Sequence, residues 1–114
     1  MKKKDTIKSR NEYSNLIKNG KYIKTKEYVI YYLNNDLSRK RFGLAISNKI
    51  GNAVIRNKLK RQTREIIYSL NSLFKNNKDY IIMIRKGCLD TSFLEKKENL
   101  KNKLKEIIWK VKKQ

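Results

Sequence analysis

The chain contains no histidine. That removes the side chain most used as a general base near neutral pH. With a single cysteine, Cys88, every usual zinc constellation is removed as well. One cysteine cannot form an internal disulfide, which fits a reducing, cytoplasmic setting. Proline is absent and only four glycines occur, so nothing marks a flexible linker or an internal boundary. Long apolar runs are missing too. The longest, "YVIYYL" and "YIIMI", are strand-sized. Both fall far short of the roughly 20 residues that span a bilayer, so no membrane association is expected. The opening "MKKKD" resembles the charged start of a secretory signal, but no apolar stretch follows it. Residues 1–8 are read as a basic arm without fixed structure.

Acid is scarce beside base. Ten Asp and Glu stand against thirty Lys and Arg, a net charge of +20. Self-repulsion on that scale opposes compaction, and its usual counterpart is a polyanionic partner. The acids are scattered and mostly adjacent to cations. They offer no obvious carboxylate pair for acid–base work and no two-metal site. A stand-alone nuclease is therefore disfavoured.

What is present is the material of a fold. Hydrophobic residues make up 39% of the chain and aromatics 10%, in periodic runs that a disordered basic tail lacks. A length of 114 residues suits one domain spanning 1–114. Ser9 and Glu12 form a capping box that opens a first helix carrying Tyr13, Leu16 and Ile17, stopped by Gly20. "KEYVIYYL" reads as a strand, with a short extra strand at "KYIKT" before it. In "RKRFGLAIS", Phe42, Leu44 and Ile46 point one way; Arg41, Gly43, Ala45 and Ser47 point the other. A long helix follows Gly51 and runs to about Lys75, then a strand at "KDYIIMIRK". A last helix begins near Thr91 or Ser92, with Glu95 completing a second capping box, and has an apolar stripe at Leu100, Leu104, Ile107, Ile108 and Val111. The order is α-β-β-(β)-α-β-α. It predicts an α/β (α+β) two-layer sandwich, with a small mixed sheet and three helices.

The central helix carries the charge. At about 100° per residue with Arg56 at zero, Lys60, Arg64, Asn57 and Arg61 fall between roughly 40° and 140°. Ile55, Leu59, Thr63, Ile66 and Leu70 fall between roughly 260° and 340° and form the core stripe. Lys58 and Glu65 lie beyond the cationic wall. From Leu37 to Arg64 there are nine cations and no acid. A solvated helix face normally mixes signs, so this one points to an anionic ligand. Arg holds phosphate bidentately, Asn adds hydrogen bonds, and the helix N-terminus near Asn52 adds amide donors. A ribosomal or other rRNA-binding module fits this pattern as well as a processing factor does. A DNA-binding protein ranks below both, because no helix-turn-helix spacing and no dimer signal is present.

"NKIGNAVIRNKLKRQTRE" resembles the signature of the bacterial ribonuclease P protein subunit. The shared positions are Lys49, Gly51 to Val54, Arg56, Asn57, Lys60, Arg61, Arg64 and Glu65. The "RFGLAIS" strand, the "DYIIMIRK" strand and the closing helix match in order and spacing. Departures are Asn48 where a second Lys is usual, Lys58 where Arg is frequent, and Ile17 in place of a second aromatic. The resemblance implies binding to ribonuclease P RNA and to precursor tRNA, and help in removing the tRNA 5′ leader. Mg2+ would be held mainly by the RNA, with no catalytic residue and no metal site on the protein and no obligate protein partner. It assigns Lys49, Asn52, Arg56, Asn57, Lys58, Lys60, Arg61 and Arg64 to the catalytic RNA. It assigns Tyr13, Ile17, Tyr31 and Ser47 to a leader cleft between the first helix and the sheet. It also implies a left-handed crossover around the central helix, where a strand–helix–strand unit is right-handed in about 98% of cases.

Overall fold

The computed structural model describes residues 6, 7 and 9–113, with side chains described up to residue 107. The expectations for the basic arm at 1–5 and 8, and for Ile108 and Val111, lie outside the described residues and side chains, whereas at Thr6 and Ile7 the expected arm is instead fixed, bridging to Phe42 with Ile7 buried. Ser9 opens α1 (Arg10–Asn19), its Oγ accepting the Glu12 N–H at 3.4 Å. Three strands follow: β1 (Lys21–Lys24), β2 (Tyr28–Asn34) and β3 (Arg41–Ile46). Then come α2 (Ala53–Ser69), β4 (Lys78–Ile84) and α3 (Phe93–Lys113). Ser92 caps α3 as expected, its Oγ accepting from Glu95 N–H at 3.2 Å, and the Glu95 carboxylate meets the Ser92 hydroxyl at 3.2 Å.

The sheet order is β1-β2-β4-β3. β4 pairs antiparallel with β2, Ile82 opposite Ile30, and parallel with β3, Ile82 opposite Leu44. A mixed sheet results. The outer edge of β3 is partly covered, because Ile7 N–H donates to Phe42 O at 2.9 Å. That contact protects an edge that would otherwise invite pairing.

Period-two alternation divides the sheet into two faces. Tyr28, Ile30, Phe42, Tyr80, Ile82 and Ile84 join Leu59, Ile66, Ile67 and Leu70 of α2 and Leu100 and Leu104 of α3 in the main core. Ile81 packs on the other face with Leu16 of α1, Ile7, and the half-buried Tyr13, Tyr31, Leu33, Ala45 and Met83. The expected α+β fold of three helices and a small mixed sheet is there, but helices pack on both faces rather than in two layers, with α1 covering part of the second sheet face.

Two features of the central helix differ from the sequence expectation. It stops at Ser69 rather than near Lys75, and Asn71–Leu73 tightens into a 3-10 turn. The cause is Phe74. It leaves the helix direction to pack against Phe42 and Tyr80, ring centroids 5.1 and 5.0 Å away. Lys40 Nζ then donates to the Asn71 and Phe74 carbonyls at 2.6 and 2.9 Å, satisfying acceptors at the turn. The second difference is the stripe. Ile67, near 20° on the wheel, is fully buried, whereas Ile55 is 38% exposed. The buried arc is turned toward Arg56. Ile55 sits in the first turn and folds back over Gly51 instead of reaching the sheet. Val54, expected to pack at the helix entrance, is 77% exposed.

Candidate nucleic-acid interface

Seven of the nine cations between Leu37 and Arg64 divide into two groups once the chain folds. The first serves the fold. Arg41 grips Asp79 with two bonds, Nε to Oδ1 at 2.9 Å and Nη2 to Oδ2 at 2.6 Å, and reaches Glu12 at 2.5 Å. Asn35 donates to the same Asp79 carboxylate at 2.7 Å. Burial pushes that carboxyl up, but the bonds from Arg41 and Asn35 outweigh burial and hold it below its ordinary value. Glu12 therefore does not return to its own cap. Lys40 closes the end of α2, as described above. Its ammonium is pushed down from the ordinary lysine value by burial.

The second group forms the wall on α2. The helix is built to present it. Asn52 Oδ1 accepts the Ile55 N–H at 3.0 Å as N-cap, so its oxygen is already committed to the helix. Leu59, Thr63, Ile66 and Ile67 fix the opposite face. Thr63 Oγ1 donates to Leu59 O at 2.7 Å, leaving it to accept from the buried Tyr28 hydroxyl at 3.1 Å. Outside lie Asn57, Lys58, Arg61 and Arg64, all exposed, with Arg56 and Lys60 half-buried at the margin. Arg56 donates to Asn48 Oδ1, and its Nε is buried without a partner. Among the described residues, no hydrogen bond or ion pair engages the side chains of Lys49, Lys58, Lys60, Arg61 or Arg64. Four of these unpaired charges are held on α2, which does not need to fold around a ligand, and Lys49 lies in the turn just before it.

The cleft residues are distributed unevenly. Tyr13 lies across β3, its hydroxyl donating to Leu44 O at 3.5 Å. It fits only because residue 43 is glycine: a Cβ there would lie 2.3 Å from the Tyr13 oxygen. Burial raises the Tyr13 phenol above its ordinary value. A groove of about 350 Å³ is lined by Thr6, Tyr13, Leu44, Lys60 and Arg64. Two residues expected on the wall thus share one groove with a residue expected in the cleft. Tyr31 is half-buried on the second sheet face, its ring centroid 5.8 Å from Tyr22. Ile17 is 42% exposed on α1, outside the lining of the Tyr13 groove. Ser47 is exposed where β3 ends, and its Oγ accepts the Lys49 N–H at 3.1 Å. Sequence reasoning passed over Tyr22. The signal was available: pairing "KYIKT" with the next strand sets Tyr22 opposite Tyr31.

Among the described residues, no three of His, Cys, Asp and Glu converge. Asp79 and Glu12 are held by Arg41, and Glu27 is buried with Asn99 donating to it at 3.1 Å. Among the same residues no helix is long and apolar enough to cross a membrane.

Known proteins bear directly on this arrangement. The family model for Ribonuclease P matches residues 1–108. The Ribonuclease P protein component of Mycoplasma mycoides is 40% identical over 108 residues, covering 94% of this chain and 99% of its own length. That of Bacillus cereus is 38% identical over 101 residues, covering 88% of each chain. A solved Staphylococcus aureus RNase P protein, a mutant with defective mRNA degradation activity, superposes with a TM-score of 0.83. It shares 32% identity and covers 92% of this chain and 89% of its own. The RNase P protein from Thermotoga maritima gives 0.80 at 28% identity, with 89% and 96% coverage. Matched along nearly its whole length and folded like solved members, the chain belongs to the ribonuclease P protein family, as a subunit of that bacterial ribonucleoprotein.

Proposed function

We propose that this chain binds ribonuclease P RNA through the α2 wall and assists removal of the 5′ leader from precursor tRNA in the cytoplasm. The observation that carries this is the cationic face of α2, anchored on the sheet and bordering the Tyr13 groove, whose Lys58, Lys60, Arg61 and Arg64 are unpaired among the described residues. Arg56, Arg61 and Arg64 are suited to bidentate grip on phosphates, with Lys49, Lys58 and Lys60 as point charges around them. Asn57 adds hydrogen bonds to sugar or base edges. A pre-ordered helix loses little conformational freedom on binding. The single-stranded leader is assigned to the second sheet face, where Tyr13 and the Tyr31–Tyr22 pair offer aromatic surfaces with Ile17 beside them. Stacking on rings tolerates any base, which suits an enzyme with many precursors. Ser47, beyond the end of β3, completes that assignment. Magnesium chemistry is assigned to the RNA. The protein's work is to bind, to neutralise phosphate charge and to orient the leader.

The shared groove sharpens how the two surfaces cooperate. Lys60 and Arg64 stand where the wall meets the cleft, so they can hold backbone phosphates of the catalytic RNA and of the leader side by side. Arg61 is on the outer wall. Reconstitution tests the whole reading. The chain is mixed with a bacterial ribonuclease P RNA at low magnesium and given precursor tRNA. Leader removal is expected to exceed that of RNA alone; equal rates refute the proposal. Arg61→Ala should weaken RNA binding and reduce the slope of log K against log salt by about 0.7 to 0.9. Tyr31→Ala should instead reduce the preference for leader-bearing over mature tRNA. Arg64→Ala should move both measurements.

A further inference from the structure

Tyr68 is the most exposed large apolar side chain among the described residues, at 84%. No hydrogen bond, ring contact or cation–π contact engages it among those residues. A single exposed tyrosine is ordinary and by itself requires no explanation. Its position gives it meaning. Asn57, Arg61, Arg64 and Tyr68 are spaced four, three and four residues apart, the ladder that places side chains on one helical stripe. On the wheel Tyr68 falls near 120°, between Arg64 and Arg61. It lies about 6 Å beyond Arg64 along the axis. It is the aromatic member of a stripe whose cations have no partner among the described residues.

The helix end explains the change from charge to ring. The last turn of α2 contains no basic residue. A helix C-terminus carries a partial negative charge, which disfavours a phosphate there. The face that grips backbone at Arg61 and Arg64 has to use other chemistry one turn later. A phenol ring offers it: an uncharged surface on which an unstacked base can lie.

We propose that Tyr68 is a stacking platform for an unpaired base of the RNA held by the α2 wall. This rests on the RNA-binding reading of that wall and adds a contact of a different kind to it. The platform contributes through the ring and not through charge. Its removal therefore weakens binding without changing the number of counterions released.

The test uses the intact chain and a bacterial ribonuclease P RNA, with dissociation constants measured across a range of potassium chloride. Tyr68→Ala is expected to weaken binding by about tenfold at every salt concentration and to leave the log–log slope unchanged. Tyr68→Phe keeps the ring and is expected to bind as the wild type does. Arg61→Ala serves as the contrast, because it should lower the slope. Thermal unfolding of both Tyr68 variants should match the wild type, since the side chain is exposed. Wild-type affinity in Tyr68→Ala overturns the platform. So does equal weakening in Tyr68→Phe, which would assign the effect to the hydroxyl. A slope change in Tyr68→Ala overturns it as well. If the folded wild-type chain does not bind the RNA, the wall reading and the platform both fall. If Arg61→Ala behaves as expected and Tyr68→Ala does not, the platform alone falls.

Discussion

Gly43→Ala isolates one packing decision on which the groove depends. Among the described residues no glycine has positive φ, so an alanine can adopt the backbone at position 43 without strain. The obstacle is the Tyr13 ring. An added Cβ would lie 2.3 Å from the phenol oxygen and 2.7 Å from Cζ. Favourable carbon contacts begin near 3.5 Å, so the ring has to retreat by about 1 Å or more. The hydroxyl bond to Leu44 O, at 3.5 Å, is too long to hold it in place. Overpacking of this kind costs about 1–3 kcal/mol. Replacing glycine returns about 0.4–1 kcal/mol through the unfolded chain. A net loss of about 1 kcal/mol is expected, a fall in Tm of about 4 °C for a chain of this size.

A double-mutant cycle separates this cause from others. Tyr13→Ala removes the ring, so Gly43→Ala made in that background should be neutral or mildly stabilising. Urea midpoints of the four chains should then give a coupling of about 1–3 kcal/mol. If Gly43→Ala costs the same with and without the ring, Tyr13 is not the reason for the glycine. The groove supplies a second measurement. A displaced ring intrudes on the space shared with Lys60 and Arg64. Gly43→Ala should therefore weaken discrimination between leader-bearing and mature tRNA, and Tyr13→Ala should not restore it.

Asp79→Asn should destabilise the chain near neutral pH by about 1–3 kcal/mol, through loss of charge-assisted bonds to Arg41. The folded carboxyl is held below its ordinary 3.8, so its contribution is complete above that value and is lost as pH falls through the depressed one. The gap in urea midpoint between variant and wild type should hold from about pH 7 to about pH 5 and narrow below about pH 4; a gap independent of pH would refute the linkage. Asn52→Ala should cost about 1 kcal/mol through loss of the cap. Asn52→Asp keeps the capping oxygen and should retain stability while weakening RNA binding, so equal stability losses in both variants would contradict the cap assignment. Lys40→Met should lower the unfolding midpoint yet leave the salt slope for RNA untouched, the reverse of Arg61→Ala. A slope change in Lys40→Met would return Lys40 to the RNA face.

Local signals in the sequence carried most of the architecture. Ser9 and Ser92 cap as their Glu partners three residues on suggested, and alternation in "RFGLAI" gave the two faces of β3 correctly. What failed was governed by contacts distant in sequence. The end of α2 is set by Phe74 meeting Phe42 and Tyr80, and nothing within the helix announces that appointment. The rotation of the buried arc has the same origin. Ile67 falls among cations on an ideal wheel, and only the placement of α2 on the sheet buries it while leaving Ile55 half out. The groove joining Tyr13 to Lys60 and Arg64 likewise needs α1, β3 and α2 together.

The cation census shows most clearly why composition was informative but not sufficient. Counting nine cations without an acid from Leu37 to Arg64 pointed to an anionic ligand for this segment. Counting could not show that Arg41 answers Glu12 and Asp79, which lie 29 and 38 residues away along the chain. Nor could it show that Lys40 answers two backbone carbonyls. Those residues compensate acceptors that folding itself leaves buried or unpaired, so their charge is used up inside the protein. Among the described residues Lys58, Lys60, Arg61 and Arg64 of the wall have no such counterpart, although the helix bearing them is capped by Asn52 and fixed by Leu59, Ile66 and Ile67. Repulsion among them is thus a cost that the fold carries without internal relief. A rigid, uncompensated cationic face loses little order when it meets a polyanion and gains the relief it lacks alone, which is the physical basis for proposing it as a binding surface.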